Sequence, residues 1–149
     1  MIQRFNVFPS DMYKVAGNNK VLYTPVVAVR TGDHVHIYVS GRTSRLLNGS
    51  LAGEGDMRAQ IRLTCENVGK ALAGVGAGFA DVVRTNTYAT DLDAYFRCSD
   101  ERGKFFAEPL PTSTVVGVTR LAMPGMLVEI EVEAIIEPER LKVEGDVNL

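Results

Sequence analysis

The sequence has few of the features that mark secreted, membrane or redox proteins. It contains two cysteines, Cys65 and Cys98, which lie in helical patterns without a CxxC spacing and are expected to be free thiols in a reducing compartment. Its apolar runs fall short of the roughly 20 residues that cross a bilayer, and its first residues lack a basic segment followed by an apolar block. We therefore expect a cytoplasmic protein without a membrane span.

Nucleic-acid binding and the common catalytic motifs also lack support. The formal net charge of -2 gives no basic surface for nucleic acid. There is no GxSxG elbow, GxGxxG or GxxxxGK loop, HExxH or spaced Cys/His set, so we expect no cofactor and no metal. His34 and His36 could supply part of a metal site, but a hydrogen-bonding pair in a hairpin is the favoured interpretation. The remaining candidate for a catalytic group is a carboxylate in a cleft.

The periodicity of the apolar residues predicts alternating strands and helices. Strands are predicted at Val21 to Arg30, His34 to Gly41, Asp81 to Asp91, Ser113 to Ala122 and Met126 to Ile136, and helices from Asp56 to the glycines at 74, 76 and 78 and from Asp93 to Phe106. The first two strands are predicted to form a hairpin through Thr31-Gly32-Asp33, and the last two another. The glycine-rich segment 41–55 is predicted to be a long loop beside the site.

The element order β-β-α-β-α-β-β predicts an α+β fold in one domain, 1–149, with residues 137–149 as a C-terminal extension. Both helices are expected to cover one face of a mostly antiparallel sheet. The other face would carry His36, Tyr38 and Ser40, a semi-polar set unsuited to bulk water. A second layer, such as another subunit, is therefore expected there.

The last predicted strand carries a glutamate at every second position: Glu129, Glu131 and Glu133. Side chains two residues apart share one face of a strand, so the three acids lie opposite the apolar face. Three interpretations are open: a solvated face, partners for basic groups, or a site that acts on a substrate.

Several segments in register resemble the YjgF/YER057c/UK114 superfamily, also called the Rid or L-PSP endoribonuclease-like family. They are VSG at Val39 to Gly41, the helix with Gln60 and Asn67, DVVRTNTYATDL, the Phe105-Phe106 pair, PTSTVVGV, and the LxxPGMLVEIExEA segment. The resemblance implies a chorismate-mutase-like fold and a homotrimer whose sheets form a central barrel with clefts between adjacent subunits.

The resemblance also implies an activity, the hydrolysis of small-molecule imines and enamines such as 2-aminoacrylate to a ketoacid and ammonia without a cofactor. The glutamate that holds the water in this family matches Glu129, whereas Glu131 and Glu133 are expected at the barrel or subunit contacts. The end of the VSG strand, with Ser40, Gly41 and Arg42, is expected to border the substrate.

The sequence departs from the deaminase pattern at its substrate clamp. Those members carry an arginine in P-x-R-[ST], and here Ser113 stands in its place, so this is a divergent member. Arg42 is the best-placed substitute cation; Arg45 is more remote and Arg120 is expected to face away. Alternatively, Ser113 and Thr114 hydrogen-bond a neutral ligand. The family's tyrosine is replaced by Pro25, with Tyr23 one same-face step away.

Two classes of function stay open. The first is a deaminase of an imine or enamine, which could resemble 2-aminomuconate, and the second is a non-enzymatic trimer that binds a metabolite or regulates a partner. Ribonuclease activity is disfavoured by the acidic charge balance.

Overall fold

A computed structural model describes residues 1–18 and 20–143 and the backbone of residues 146–147. The strands are β1 (Gln3–Phe8), β2 (Ala16–Gly17), β3 (Lys20–Val21), β4 (Val26–Arg30), β5 (Val35–Arg42), β6 (Val82–Ala89), β7 (Thr112–Gly117), β8 (Val128–Ile136) and β9 (Asp146–Val147). The helices are α1 (Met57–Ala73) and α2 (Leu92–Arg97), with 3-10 turns at Phe79–Asp81, Ser99–Lys104 and Pro138–Arg140. Within the described residues, the strands of the main sheet have the order β7-β6-β8-β5-β4-β1-β9. The α+β prediction is confirmed.

Helix α1 forms as its sequence predicts and supplies one side of the core. The Asp56 side chain accepts a hydrogen bond from the Ala59 amide at 3.0 Å, an N-cap of the kind that stabilises a helix by about 1 kcal/mol. The apolar stripe of α1 packs on the sheet, where Val128, Ile130 and Val132 of β8 are almost fully buried. The alternation in β8 therefore separates a core face from a face that points away from the helices.

The hairpin of β4 and β5 is confirmed. Its register runs from Val26 opposite Val39 to Arg30 opposite Val35, and the Thr31 amide donates to the His34 carbonyl at 2.9 Å. The predicted strand from Val21 to Arg30 is divided, however. Pro25 precedes β4 and has no amide proton for a sheet hydrogen bond, so the regular strand begins one residue later.

The predicted hairpin between the last two strands is wrong. Strand β7 pairs in parallel with β6, from Thr112 opposite Arg84 to Gly117 opposite Ala89, and β6 pairs antiparallel with β8. A parallel neighbour requires a crossover connection, and α2 supplies it. Strand β7 is thus at the sheet edge, and it ends at Gly117 because its partner β6 ends at Ala89.

The second predicted helix is shorter than expected. Helix α2 ends at Arg97 with Cys98 as its C-cap, and a 3-10 turn covers Ser99 to Lys104. Serine, aspartate and glycine at 99, 100 and 103 disfavour continued α-helix.

Strand β1 was not predicted from the sequence; it pairs antiparallel with β4 and holds β9 on its outer side. Within the predicted C-terminal extension, Arg140 contacts Asp81 through two hydrogen bonds of 2.7 and 2.6 Å. In the ranges that the structure describes, no helix is long and apolar enough to span a membrane.

The sheet face opposite the helices is only partly covered within one chain. His36 and Tyr38 stack there with ring centroids 4.3 Å apart, and Tyr38 keeps 44% of its surface exposed. This is the face for which the sequence predicts a second subunit. The homotrimer with a central barrel stays a prediction.

Candidate active site

A bulge in β5 shapes the floor of the candidate site. Val39 lies opposite Val132 and Arg42 lies opposite Ile130, so β5 carries one more residue than β8 across this interval. Such an extra residue bends the strand and re-aims the side chains around it. Ser40, Gly41 and Arg42, all predicted to border the substrate, form this bulge.

Gly41 leaves room for the carboxylate of Glu129. A methyl group on Gly41 would overlap the Glu129 carboxylate oxygen. The acid therefore lies directly against the backbone of the bulge, and only glycine permits this approach.

Arg42 is a buried cation held by the bulge itself, with only 8% of its surface exposed. Its Nε donates to the carbonyls of Ser40 and Gly41 at 3.0 and 3.1 Å, and one terminal nitrogen donates to Ser40 Oγ at 3.0 Å. Ser40 Oγ in turn donates to the Pro25 carbonyl at 3.1 Å. Burial lowers the pKa of Arg42, and the nearby Tyr23 phenol and Glu129 carboxylate act in the opposite direction.

Glu129 is half-buried in the same pocket. Burial raises the pKa of its carboxyl group, the Arg42 charge opposes that shift, and Glu131 adds to it. Among the described residues, no side chain donates a hydrogen bond to Glu129 and none forms an ion pair with Glu129 or Arg42. The two opposite charges thus line one pocket without being joined.

The other two glutamates of β8 have partners. Glu131 accepts a hydrogen bond from the Tyr88 hydroxyl at 2.5 Å and lies 3.3 Å from the Asn86 amide nitrogen. This hydrogen bond is the largest cause of the raised pKa of Tyr88. Glu133 lies 3.1 Å from His36 Nε2 and 3.6 Å from Arg84 Nε. The alternating acids therefore divide into two that bind neighbouring strands and one, Glu129, that faces the pocket.

The pocket has a volume of about 130 Å³. Besides Gly41, Arg42, Glu129 and Tyr23, its walls come from the segment before β2, the loop after β5, helix α1 and the turn before β8: Asp11, Met12, Tyr13, Val15, Thr43, Arg45, Leu47, Asn67, Ala122 and Met126. The loop between β5 and α1 thus borders the site, as its length and composition predict. The contribution of the segment around Tyr13 was missed, because nothing in its sequence marks it.

Two side-chain amides on α1, whose role the sequence does not reveal, position the pocket walls. Gln60 Nε2 donates to the carbonyls of Gly53 and Gly125 at 3.1 and 2.9 Å, and its Oε1 accepts from the Leu127 amide at 2.9 Å. Asn67 Nδ2 donates to the carbonyls of Thr43 and Arg45 at 2.7 and 2.8 Å. Gln60 thereby fixes the start of β8, two residues before Glu129.

Other predicted site residues lie apart from this pocket within one chain. Ser113 and Thr114 are exposed on the edge strand β7, where Ser113 lies opposite Thr85. Glu129 is on β8, two strands away and three residues along, which corresponds to about 14 Å. Arg120, expected on this strand, lies beyond its end and is exposed.

The two histidines do not pair with each other. His36 contacts Glu133, and His34 Nδ1 lies 3.4 Å from Thr31 Oγ1. Within the described ranges, no group of three or more His, Cys, Asp or Glu side chains is arranged to hold a metal ion.

Taken with the fold, the pocket defines a class of protein: an α+β sheet with its helices on one face and with a carboxylate and a guanidinium in one pocket at the bulge. Residues 19–136 match the family model described as Endoribonuclease L-PSP. The chain belongs to this family, the YjgF or Rid family that its motifs resemble.

Named relatives agree with this assignment. The chain is 33% identical over 142 residues to the RutC family protein YjgH of Escherichia coli K12, covering 94% of this chain and 100% of the relative. A solved structure titled Protein YJGH is 32% identical, with a TM-score of 0.71 over 88% of this chain and 95% of that one. A Dermatophagoides farinae protein named 2-iminobutanoate/2-iminopropanoate deaminase is 28% identical over 110 residues, 74% of this chain and 84% of that protein.

Proposed function

We propose that the protein is a cofactor-independent hydrolase that deaminates an imine or enamine carrying a carboxylate. The observation that carries the proposal is that Arg42 and Glu129 line one pocket without an ion-pair partner among the described residues. A buried guanidinium without a counter-ion is costly and favours an anionic ligand. The related mite protein, named as a deaminase of two imino acids, supports the same class of reaction.

Arg42 would bind the substrate carboxylate in place of the family arginine whose position Ser113 occupies. Its Nε and one N–H of a terminal nitrogen bind groups of the bulge, so the remaining terminal N–H groups are the ones that would reach the ligand. Charge-assisted hydrogen bonds from a guanidinium to a carboxylate are strong and fix the orientation of the ligand. Held in this way, the imine carbon would face the Glu129 side of the pocket.

Glu129 would act as the general base and acid. In its ionised form it takes a proton from a water molecule as the water oxygen bonds to the iminium carbon, and the electron pair of the C=N π bond moves to nitrogen. Protonated Glu129 then gives this proton to the amino group of the carbinolamine. The C–N bond breaks and ammonia leaves, while the hydroxyl proton passes to Glu129 as the C=O bond forms. Transfer of this proton to the released ammonia or to solvent returns Glu129 to its ionised form. The raised pKa of Glu129 suits this exchange of protons.

A homotrimer completes the proposal. An adjacent copy covering the open sheet face would close the pocket against water. Ser113 and Thr114, exposed on the edge strand of one chain, would then reach the site of another chain as cleft residues. Exclusion of water strengthens the electrostatic interactions inside such a cleft.

The test is removal of the charge on Glu129. We expect Glu129→Gln to keep the fold and ligand binding and to lower turnover by roughly two to four orders of magnitude, the usual span for general acid-base catalysis. Ketoacid release is measured from imines generated in situ by an amino acid oxidase. Glu131→Gln is the matched control, because Glu131 lies on the same face and binds Tyr88 and Asn86.

Full turnover by Glu129→Gln would refute the mechanism. Ligand binding without any turnover by the wild-type protein would instead favour the alternative of a non-enzymatic binding protein. In an active enzyme, the rate should fall on the acid side through the pKa of Glu129, which lies above the ordinary glutamate value of about 4.3.

A further inference from the structure

A second guanidinium lies in the same pocket as Arg42. Arg45 Nε donates to the Gly49 carbonyl at 3.0 Å, and its guanidinium lies over the Tyr13 ring, 4.5 Å from the ring centroid. Both Arg45 and Tyr13 line the pocket. In the part of the chain that the structure describes, no carboxylate lies within ion-pair distance of Arg45.

The two arginines are held in the same way. In each, Nε donates to a backbone carbonyl nearby in the sequence, which fixes the plane of the guanidinium. Arg42 also donates from one terminal nitrogen to Ser40 Oγ, and the remaining terminal N–H groups of both arginines are left for a ligand. The acids of the pocket are Glu129, which lies against Gly41, and Asp11, which is exposed at the rim. Two like charges that face one small pocket repel each other, and two bound anionic groups would relieve that repulsion.

The pocket also has apolar walls. Met12, Tyr13 and Leu47 are among its lining residues, and the Arg45 guanidinium packs over the Tyr13 ring. A short carbon chain would pack on these side chains while both of its ends are bound by guanidinium groups. A monocarboxylate would leave Arg45 without an anion.

We propose that the ligand is a dicarboxylate, whose α-carboxylate binds Arg42 beside Glu129 and whose distal carboxylate binds Arg45. This assignment rests on the proposed function, because it makes the substrate the imine or enamine of a dicarboxylic 2-oxo acid. Arg45 is then the residue that determines specificity, and Glu129 acts at the Arg42 end.

Binding of two product-like acids tests the assignment without turnover. 2-Oxoglutarate and 2-oxopentanoate share a five-carbon chain and differ by the distal carboxylate. By isothermal titration calorimetry, we expect 2-oxoglutarate to bind wild-type protein roughly ten- to a hundredfold more tightly, the effect of one hydrogen-bonded charged group. Arg45→Gln should bring the two affinities close together, because it lowers the affinity for 2-oxoglutarate much more than the affinity for 2-oxopentanoate.

Two further variants control the comparison. Arg97→Gln removes an exposed arginine from α2, outside the pocket, and should keep the full preference. Arg45→Lys keeps the charge and should keep part of the preference for 2-oxoglutarate. If Arg45→Gln melts at a much lower temperature than wild type, Arg45→Lys tests the role of the charge in its place. Equal affinities of the two acids for wild-type protein, or an unchanged preference in Arg45→Gln, would overturn the assignment.

Turnover assays distinguish a wrong ligand assignment from a wrong proposed function. 2-Iminoglutarate and 2-iminopentanoate are generated from glutamate and norvaline by the matching oxidases, and the ratio of their kcat/KM values should follow the binding ratio. Equal kcat/KM values would support the deaminase and refute the dicarboxylate assignment. Hydrolysis of neither imine, with a retained preference for 2-oxoglutarate, would refute the deaminase and support the ligand class.

Discussion

Replacing Gln60 by leucine should destabilise the protein strongly, although leucine is close in size and apolar. The Gln60 side chain is fully buried and satisfies three backbone groups from two separate segments: the carbonyls of Gly53 and Gly125 and the amide of Leu127. Leucine would leave the Gly125 carbonyl and the Leu127 amide without a partner, whereas the Gly53 carbonyl keeps its hydrogen bond from the Asp56 amide at 3.0 Å. Each orphaned buried group costs about 1 to 3 kcal/mol, so the substitution should cost about 2 to 5 kcal/mol.

Thr64 offers a matched control one helical turn away. It is also fully buried, but its hydroxyl has no hydrogen-bond partner among the described residues. Thr64→Val removes an unsatisfied polar group at nearly constant shape and should be neutral or stabilise the fold by up to about 1 kcal/mol. The two substitutions therefore have opposite signs although both replace a buried polar side chain by an apolar one.

Urea denaturation followed by circular dichroism at one protein concentration measures both effects. With a typical slope of about 1 to 3 kcal/mol per molar urea, the Gln60→Leu midpoint should fall by about 1 to 3 M. A shift below about 0.5 M, or equal shifts for Gln60→Leu and Thr64→Val, would refute the role given to Gln60. Turnover should also fall, because the start of β8 sets the position of Glu129.

Three further predictions follow from other contacts. Gly41→Ala should fold, as checked by circular dichroism, and lose about a hundredfold in turnover, because its methyl group displaces the Glu129 carboxylate; an active variant would contradict this. Asp81→Asn should lower the free energy of unfolding by about 1 kcal/mol at neutral pH, because it removes the ion pair through which the half-exposed Arg140 lowers the pKa of Asp81. This stabilisation is present above the unfolded aspartate pKa of about 3.9 and is lost as the pH falls through the folded value, so the wild-type and Asp81→Asn denaturation curves should converge in acid. Light scattering should give a homotrimer, whereas a persistent monomer at micromolar concentration would exclude the proposed cleft between subunits.

The elements with strong local signals were predictable from the sequence. Helix α1 has an unbroken apolar stripe and an N-cap at Asp56, and the turn after Arg30 carries Gly32 and Asp33 between two β-branched strands. The helix and the turn are both determined by residues that are close together in the sequence. The family motifs also identified the Endoribonuclease L-PSP family, and they singled out Glu129 as the acid of the proposed site.

The rest depends on contacts between residues far apart in sequence. The pairing of β7 with β6 is set by the crossover through α2, which a turn signal at Met123 to Gly125 obscured. The alternating pattern of β8 does not predict the different environments of Glu129 and Glu131, because these depend on Tyr88 of another strand, which donates a hydrogen bond to Glu131. Tyr13 reaches the pocket through the course of the chain after β1, for which the sequence has no pattern.

The side-chain amides of Gln60 and Asn67 hold the loop after β5 near its two ends, and the tip from Leu46 to Asn48 is exposed. The residues that fix the loop are therefore different from the residues at its tip. Substitutions at the tip would change the wall of the pocket while Glu129 and Arg42 keep their places. A library randomised at residues 45–48, with Gly49 kept because its φ of +88° favours glycine, would accordingly sample new ligands while the ends of the loop stay in place.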